Sequence, residues 1–419
     1  MTAAPTVLML QGPLGPLYGQ IAGHLRTAGC NVLRVQFSGN DVADWPHAGA
    51  LEFTQPFSDW ERFLDTTIAP LGVDVMLLHG DRRPYHRVAT DWARRRGIAV
   101  FVSELGYMRP DWMILERDGV SALSRFPSDP ARIRQIAAES PDIDLAPRWT
   151  SRIWPRVVGE LRFSLFNTLY ARRFPHYQSH RDQSAWRVYP GWVFGQVRRR
   201  FRQIHPLPTA PYYVFALQLD GDYQIRDHSP YDDVRDSIVA VARSFAAHAP
   251  RKATLVIKPH PHSFAIGRVR ATLRQVCQRF GLDGRLRMIK GATVAELCNG
   301  AAGFVSVNSS AGFEALDASC PTHAIMPTLY DVPGLTHQGD LDAFWAAPRQ
   351  SDKDLFSDLV KAICHTVQVR GTIYHPDGCR HAAAAMARRM IEWTAKRPTA
   401  TPPDPARLIK AADMGVRYD

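Results

Sequence analysis

The sequence predicts an α/β protein with two domains, each built on a doubly wound parallel sheet of the Rossmann type. A chain of 419 residues is too long for one compact hydrophobic core, so two domains are expected. Apolar residues make up 45% and charged residues 22% of the chain, which is ordinary for a globular protein and excludes wholesale disorder. Short apolar runs alternate with helical segments in both halves, and this alternation is typical of βαβ units.

In the first half, strands are predicted over 6–12, 31–37, 74–80 and 98–104. Helices are predicted over 19–29, which ends in a glycine, and around 89–97. Ligands of such sheets lie at the carboxyl ends of the strands, so polar residues that follow these strands should converge on one site. The residues in question are Gly12, His79, Gly80 and Glu104, and Gln11 beside Gly12 is a further candidate.

The second half repeats the alternation after a stretch with three prolines over 203–211, which is interpreted as a linker. Its predicted strands are 212–218, 253–261, 286–291, 303–310 and 322–326. Its predicted helices are 232–248, 265–281, 293–299 and one that begins at Ala311. A C-terminal helix over roughly 380–395 is a candidate to cross back to the first domain.

These elements predict domains at 1–204 and 205–385, followed by a C-terminal helix and tail at 386–419. Two Rossmann-like domains that face a central cleft are the architecture of GT-B glycosyltransferases. Because one fold hosts many activities, the side chains of the site must carry the functional argument.

The positive charge of the chain is concentrated in one segment, 148–202. This segment holds twelve arginines, two acidic residues and twelve aromatic residues, which accounts for +10 of the formal +11. We favour an anionic membrane surface as its partner. One alternative is a solvated helical face whose aromatic residues belong to the core. The other is nucleic acid, which we do not expect because no nucleic-acid motif accompanies the segment.

Two polar turns follow predicted strands of the second domain. In KPHP, Lys258 supplies a positive charge and His260 a donor or a proton, although a solvent-exposed turn would look the same. In NSSAGF, the hydroxyls of Ser309 and Ser310 precede a helix start that could hold an anion, or that could simply be a capped helix. The HxH spacing of His260 and His262 has no third ligand nearby, so we expect no metal.

Carboxylates follow a strand in each predicted domain. Asp220 and Asp222 come after the strand at 212–218, and Glu104 ends a strand in the first domain, with Arg109 and Asp111 just beyond it. Glycosyl transfer uses one carboxylate as nucleophile and another as acid/base, so these residues are candidates for both roles. A polar loop is the alternative interpretation for each cluster.

Six blocks of the sequence resemble, in the same order, the capsule polysaccharide biosynthesis proteins of the KpsS/LipB type, which are β-Kdo transferases. The resemblance covers roughly residues 7–345. The blocks are QGPLGPLYGQIAGHLRTAGCNVLRVQFSGND, ELGYMRPDWMILERDGVSALSRFP, LQLDGDYQIRDHSP, VIKPHP, VNSSAGFEAL and YDVPGLTHQG.

The resemblance implies a retaining transferase that uses CMP-β-Kdo as donor and a lysophosphatidylglycerol-type lipid as acceptor. It also implies a place at the cytoplasmic face of the inner membrane, among the capsule assembly proteins. The arginine-rich segment 148–202 would approach that membrane. The absence of a basic residue before the first apolar run, which argues against a signal peptide, agrees with a cytoplasmic location.

The same resemblance implies roles for individual residues. Asp222 would be the nucleophile and Glu104 the acid/base. Gly221 and Tyr223 depart from the family pattern, so the choice between Asp220 and Asp222 stays open. The donor-binding residues would be Gln218, Lys258, His260, Asn308, Ser309 and Ser310.

In this scheme Lys258 and His260 would neutralise the CMP phosphate and the Kdo carboxylate. No metal or other cofactor is implied, since these groups can do the same electrostatic work. Two alternatives remain: another GT-B glycosyltransferase with a different nucleotide sugar, and a non-catalytic capsule assembly factor.

Overall fold

The computed structural model describes residues 4–149, 153–179, 207–209, 211–219, 223–261, 263, 266–398 and 401–418. The chain divides into two compact units. Unit 1 comprises Met1–Val120, Ile143–Pro190 and Ile363–Pro402. Unit 2 comprises Ser121–Asp142, Gly191–Ala362 and Pro403–Asp419.

The elements are numbered along the chain. The strands are β1 Thr6–Met9, β2 Asn31–Gln36, β3 Leu51–Glu52, β4 Val75–His79, β5 Ala99–Leu105, β6 Trp112–Arg117, β7 Tyr212–Ala216, β8 Thr254–Lys258, β9 Leu286–Met288, β10 Gly303–Ser306, β11 Thr322–Ala324 and β12 Gln368–Arg370. The α-helices within the described ranges are α1 Leu17–Thr27, α2 Gly39–Ala43, α3 Trp60–Phe63, α4 Pro84–Arg95, α5 Pro130–Glu139, α6 Ile153–Leu169, α7 Tyr223–Arg226, α8 Val234–His248, α9 Ile266–Phe280, α10 Val294–Cys298, α11 Ala311–Asp317, α12 Leu341–Ala346, α13 Lys353–Thr366, α14 Pro376–Lys396 and α15 Pro405–Asp413.

Unit 1 contains a seven-stranded sheet with the order β12-β6-β5-β4-β1-β2-β3. The pairings from β5 to β3 are parallel, as predicted. However, β6 pairs antiparallel with β5, and β12 pairs antiparallel with β6. The stretch 106–111 between β5 and β6 is too short for a parallel crossover, which needs about a dozen residues. The sheet is therefore mixed at this edge.

Both faces of this sheet are covered by helices. Val7 and Met9 pack on one face with α1 and with Met386 and Met390 of α14. Leu8 and Leu10 point to the other face, where the chain between β2 and β5 supplies large aromatic residues. This alternation follows from the two-residue period of a strand.

Unit 2 contains a five-stranded parallel sheet with the order β11-β10-β7-β8-β9. In its register, Ala216 at the end of β7 is paired with both Lys258 of β8 and Ser306 of β10. The carboxyl ends of these three strands therefore meet at one edge. The two units confirm the predicted α/β class with two Rossmann-like sheets.

The division into units differs from the predicted boundaries. The segment 121–142 belongs to unit 2, where the buried Arg407 donates to the carbonyls of Phe126 and Thr328. A boundary at 385/386 would fall inside α14, which is continuous and belongs to unit 1. The predicted boundary at 204/205 lies outside the described residues.

Candidate active site

Each sheet has one point at which the chain order reverses, and ligands of doubly wound sheets bind there. In unit 1 the chain runs from β1 outward to β3 and then returns to β4, so this switch point lies between β1 and β4. Gln11 and Gly12 follow β1, and His79 ends β4. Glu104 lies near the end of the next strand, β5. Unit 1 therefore brings these four predicted residues to one edge of its sheet.

The turn at Gly80 places Glu104 close to an arginine. A Cβ built on Gly80 would lie 3.5 Å from Glu104 Oε1 and 3.8 Å from Arg83 Nε. The glycine has a φ of +71°, which a side chain would strain. His86 fixes this turn through its Nδ1, which lies 2.7 Å from the Gly80 carbonyl oxygen. Burial lowers the pKa of His86 to about 3, so the ring is neutral at pH 7 and its Nδ1–H donates.

Gln11 is the centre of a hydrogen-bond network. Arg83 Nη1 donates to Gln11 Oε1 at 3.4 Å and to the Gly12 carbonyl oxygen at 3.2 Å. Gln11 Nε2 donates to Asp41 Oδ2 and to the Tyr177 hydroxyl, both at 3.1 Å. The amide is therefore held in one orientation, and it in turn positions the guanidinium of Arg83.

A buried ion pair holds the carboxylate to which Gln11 donates. Arg34 Nη2 and Asp41 Oδ1 are 2.9 Å apart, and both side chains are almost fully buried. Asp41 Oδ2 also accepts from the Ser38 hydroxyl at 3.0 Å and from the Phe37 amide at 3.1 Å. These bonds use the remaining acceptor capacity of Asp41, which helps to offset the cost of burying the pair. Burial lowers the pKa of Arg34, while the charge of Asp41 acts in the opposite direction.

A pocket of about 180 Å³ opens at this switch point within unit 1. Its walls come from the turns after β1 and β4, from α6 and from the residues after β12. Phe163 and Gly159 of α6 form part of the apolar wall. The polar side chains that line it include Gln11, Asn40, His79, Arg83, Arg156 and Glu160.

Helix α6 is fixed to α2 by polar contacts. The backbone amide of Asn40 donates to Asn167 Oδ1 at 2.9 Å. Arg162 Nη2 lies 3.2 Å from Asp44 Oδ1, and burial raises the pKa of this carboxyl group. The inner face of α6 is therefore held against the switch point.

The outer face of α6 is apolar and exposed. Trp154 is 70% and Leu169 64% exposed, whereas Phe163 and Phe174 are buried. Only part of the aromatic content of segment 148–202 is thus available to a partner, and residues 180–202 lie outside the described ranges. The exposed apolar side chains, spaced at three and four residues, are Trp154, Val158, Leu161, Leu165 and Leu169. We call these five residues the α6 stripe.

Arg109 and Asp111 do not join the pocket lining. Arg109 is exposed and donates through Nε to the Gly106 carbonyl oxygen at 3.5 Å. Asp111 is buried, and its Oδ2 accepts from the backbone amides of Arg148 and Trp149. Asp111 is therefore an anchor for the backbone, because its carboxylate accepts from two consecutive amides and so fixes the start of segment 148–202.

In unit 2 the switch point lies between β7 and β10. Gln218 and Asn308 follow these two strands and are both buried. Gln218 Nε2 donates to Asn308 Oδ1 at 2.8 Å, and the backbone amide of Asn308 donates to Gln218 Oε1 at 3.4 Å. Asn308 Nδ2 also reaches the His228 carbonyl oxygen at 3.5 Å. The paired amides join the two strand ends.

Lys258 and His260 lie beside this pair, at the end of β8. Both side chains are half-buried. The His260 carbonyl oxygen accepts from the Ser263 amide at 3.0 Å, which closes the turn. A side-chain hydrogen bond with Cys320 and burial raise the pKa of Cys298, while the nearby charge of Lys258 lowers it.

Ser309 and Ser310 precede α11, as predicted. Ser309 Oγ accepts from the Ala311 amide at 3.2 Å, whereas Ser310 makes no side-chain cap bond. The Tyr330 hydroxyl donates to the Ser309 carbonyl oxygen at 2.8 Å. The Ser309 hydroxyl therefore bonds the first turn of α11, a helix of seven residues.

Asp220 and Asp222 lie outside the described residues. Unit 2 thus brings together Gln218, Lys258, His260, Asn308 and Ser309, and unit 1 brings together Gln11, Gly12, His79 and Glu104.

Arg83, Arg156 and Glu160 were missed as site residues by the sequence analysis. Arg83 follows the predicted strand end at Gly80, so the strand-end rule could have identified it. Arg156 and Glu160 lie on a helix distant in sequence, and no local pattern separates them from the other charges of segment 148–202.

No group of three metal-ligating side chains occurs among the described residues. No helix in the described part of the chain is both long and apolar enough to cross a membrane.

Comparisons with known proteins point to one family. The family model for "Capsule polysaccharide biosynthesis protein" matches residues 74–374. The capsule polysaccharide export protein KpsS of Escherichia coli is 32% identical over 377 residues, covering 88% of this chain and 96% of that protein. The capsule polysaccharide modification protein LipB of Neisseria meningitidis serogroup A is 27% identical over 390 residues, covering 89% of this chain and 93% of that protein.

Among solved structures, the beta Kdo 2,7 transferase KpsC of Thermosulfurimonas dismutans matches with a TM-score of 0.46 and 16% identity, over 93% of this chain and 99% of that one. The family match covers most of the chain, and the identity to a full-length relative exceeds 30%. This chain therefore belongs to the family of capsule polysaccharide biosynthesis proteins.

Proposed function

We propose that this protein is a retaining β-Kdo transferase. It moves Kdo from CMP-β-Kdo to a lysophosphatidylglycerol-type lipid and so starts the poly-Kdo linker of a capsular polysaccharide. The observation that carries the proposal is the switch point of unit 2, where Gln218 and Asn308 are paired beside Lys258 and His260. Membership of the capsule polysaccharide family supports it.

The donor would bind at this switch point. Lys258 and His260 would neutralise the phosphate of CMP and the carboxylate of Kdo, and Ser309 and Ser310 would donate hydroxyl hydrogen bonds. Charge that develops on the departing phosphate is stabilised best by such fixed donors in a partly desolvated site. No metal is needed in this scheme.

Retention at the anomeric carbon follows from two inversions. The Asp222 carboxylate attacks C2 of Kdo, the bond from C2 to the phosphate oxygen breaks, and CMP leaves with the electron pair. A hydroxyl of the acceptor then loses its proton to Glu104 and attacks C2, which releases Asp222. Asp220 is the alternative nucleophile.

The acceptor side of the proposal rests on unit 1. The α6 stripe offers exposed apolar side chains, and the arginine-rich segment 148–202 offers positive charge. Helices of this kind lie in the interface of membranes that contain anionic lipids. The protein would therefore work as a peripheral protein at the cytoplasmic face of the inner membrane, beside other capsule assembly proteins.

A transfer assay tests the proposal. The purified full-length protein is incubated with CMP-Kdo and lysophosphatidylglycerol, and the lipid product is weighed by mass spectrometry. We expect a lipid that carries at least one Kdo residue. Transfer from a UDP sugar but not from CMP-Kdo would support a different GT-B activity, and no transfer from any nucleotide sugar would favour a non-catalytic assembly factor.

A further inference from the structure

The pocket of unit 1 is too small for a nucleotide sugar. Pockets that enclose drug-sized ligands typically hold about 300–1,000 Å³, whereas this one holds about 180 Å³. A ligand that fits it is a fragment of a few heavy atoms beyond a phosphate. The part of a ligand that this pocket encloses is therefore smaller than a whole CMP-Kdo molecule.

The charges in the pocket suit a phosphate flanked by hydroxyl groups. Arg83 and Arg156 are its two guanidinium groups, and guanidinium groups bind phosphate oxygens in a bidentate manner. The Arg83 group is already oriented by Gln11 and by the Gly12 carbonyl oxygen. Glu160 is the carboxylate of the lining and can accept from hydroxyl groups.

The position of α6 connects this pocket with the apolar surface. Arg156, Gly159, Glu160 and Phe163 line the pocket from the inner face, and the α6 stripe lies on the opposite face. Pro155 lies between Trp154 of the stripe and Arg156 of the pocket in the sequence. It lines the pocket and is also exposed to solvent. A molecule with a small polar head and a long apolar chain matches this arrangement.

We infer that the pocket beneath α6 binds the glycerophosphate headgroup of the acceptor lipid, with Arg83 and Arg156 on the phosphate and Glu160 on the glycerol hydroxyls. The acyl chain leaves past Pro155 toward the α6 stripe. This inference rests on the proposed function for the identity of the lipid, and it assigns the binding residues that the function leaves open.

Two variants test it by different physical routes. Arg156→Ala removes a phosphate ligand. Gly159→Leu fills the pocket, because a Cβ at Gly159 meets only Leu14 at an ordinary distance of 3.5 Å and leucine is a better helix former than glycine. The matched controls are Arg87→Ala, one turn beyond Arg83 and exposed, and Gly23→Leu on α1, where a Cβ has nothing within 4 Å.

Binding to the full-length protein is measured by calorimetry with short-chain lysophosphatidylglycerol, with glycerophosphoglycerol, with inorganic phosphate and with CMP-Kdo. We expect Arg156→Ala to weaken binding of the lipid and of glycerophosphoglycerol by about 10- to 100-fold, the range for one charged hydrogen-bonding group. Gly159→Leu should weaken binding of both ligands because its side chain occupies the pocket. CMP-Kdo binding should not change in any variant, and both controls should bind like the wild type.

Three outcomes would overturn the inference. The first is unchanged headgroup binding in both test variants. The second is weakened binding of CMP-Kdo, instead of the headgroup, in those variants. The third is equal affinity of the wild type for inorganic phosphate and for glycerophosphoglycerol. The proposed function fails separately: a protein that binds the headgroup through Arg156 but transfers no Kdo keeps the pocket and loses the activity. Conversely, normal transfer with an unchanged KM for the acceptor in both test variants keeps the activity and rejects the pocket.

Discussion

The switch points of the two units share a sheet geometry but differ in chemistry. In unit 1, a buried ion pair between Arg34 and Asp41 underlies a charged pocket that holds Arg83. In unit 2, two neutral amides, Gln218 and Asn308, join the strand ends. The parallel strands on both sides of each switch point therefore bring the residues that follow them to one edge of the sheet, and those side chains differ in charge between the two units.

This difference leads us to assign the donor to unit 2 and the acceptor headgroup to unit 1. CMP-Kdo needs positive or donor groups at its phosphate and at its carboxylate, and neutral hydrogen-bonding partners elsewhere, as Lys258, His260 and the amide pair offer. A lipid headgroup needs charge in a small space beside an apolar surface, as α6 offers. Substitutions in one unit should then leave the other ligand unaffected.

The largest effect is expected from Asp222→Asn. Loss of the proposed nucleophile should lower turnover at least about 1000-fold. With CMP-Kdo and no acceptor, intact-protein mass spectrometry should show one added Kdo residue on the wild type, mapped to peptide 211–230, and none on the variant. Asp227→Asn, in the same stretch, is the matched control and should keep the adduct. Glu104→Gln should let the adduct accumulate.

Two results would change this assignment. An adduct on Asp220 would move the nucleophile by two residues and keep the mechanism. Normal turnover without an adduct in any protein would reject the covalent step.

Lys258→Ala should lower turnover by about 100- to 1000-fold, because one fixed donor to a developing charge is lost. Lys252→Ala is the matched control, since Lys252 is exposed and precedes the opposite end of β8. Steady-state kinetics with both substrates and a thermal unfolding curve are measured for each protein. If Lys258→Ala is folded and fully active, Lys258 has no part in donor binding.

Each unit also contains a buried neutral histidine, and these predict how stability changes with pH. Burial is the main cause that lowers the pKa of His86 in unit 1 and of His323 in unit 2, each to about 3. An unfolded histidine binds a proton below about pH 6.5, so the unfolded state binds more protons between pH 6.5 and 3. The contribution of these histidines to the free energy of unfolding should therefore be fully present above pH 6.5. It should decrease as the pH falls, by about 2 kcal/mol per histidine at pH 5.

His323→Phe tests this in unit 2, because the His323 ring already stacks on Phe344 with centroids 5.5 Å apart. We expect the variant to lose about 2 kcal/mol less than the wild type between pH 7 and pH 5 in urea unfolding. His24→Gln, at an exposed position of α1, should behave like the wild type. An unchanged slope in His323→Phe would mean that His323 is protonated in the folded protein.

The smallest effects are expected at the membrane surface. Leu165→Asn in the α6 stripe should weaken binding to phosphatidylglycerol vesicles by about 5- to 10-fold, because part of one apolar side chain no longer enters the interface. Leu71→Asn, which is similarly exposed at 41% but outside the stripe, is the matched control. Neutralising Arg198, Arg199 or Arg200 should cost about 1 kcal/mol each, and high salt should remove that difference. If neither these substitutions nor high salt affects vesicle binding, segment 148–202 is better interpreted as a solvated helical face.

Local sequence patterns predicted most of the strands and the residues that follow them, although β3, β6 and β12 were not among the predictions. Period and composition are local properties, so the strands β1, β4, β5, β7, β8 and β10 were predicted close to their observed places. Polar residues after buried strands converge whenever the strands are parallel neighbours. Gln11, Gly12 and Glu104 in unit 1, and Lys258 and Asn308 in unit 2, were found in this way.

Tertiary structure decided the rest, because these features depend on which distant segments pack together. Asp111 looks like a catalytic carboxylate in sequence, and only the position of Arg148 and Trp149 makes it a backbone anchor. The helices at 130–139 and 376–396 join the units that bury their apolar faces, whatever their order along the chain. The pocket exists because α6 packs over the β1–β4 switch point. This long-range packing cannot be predicted from the hydrophobic periodicity of any one segment.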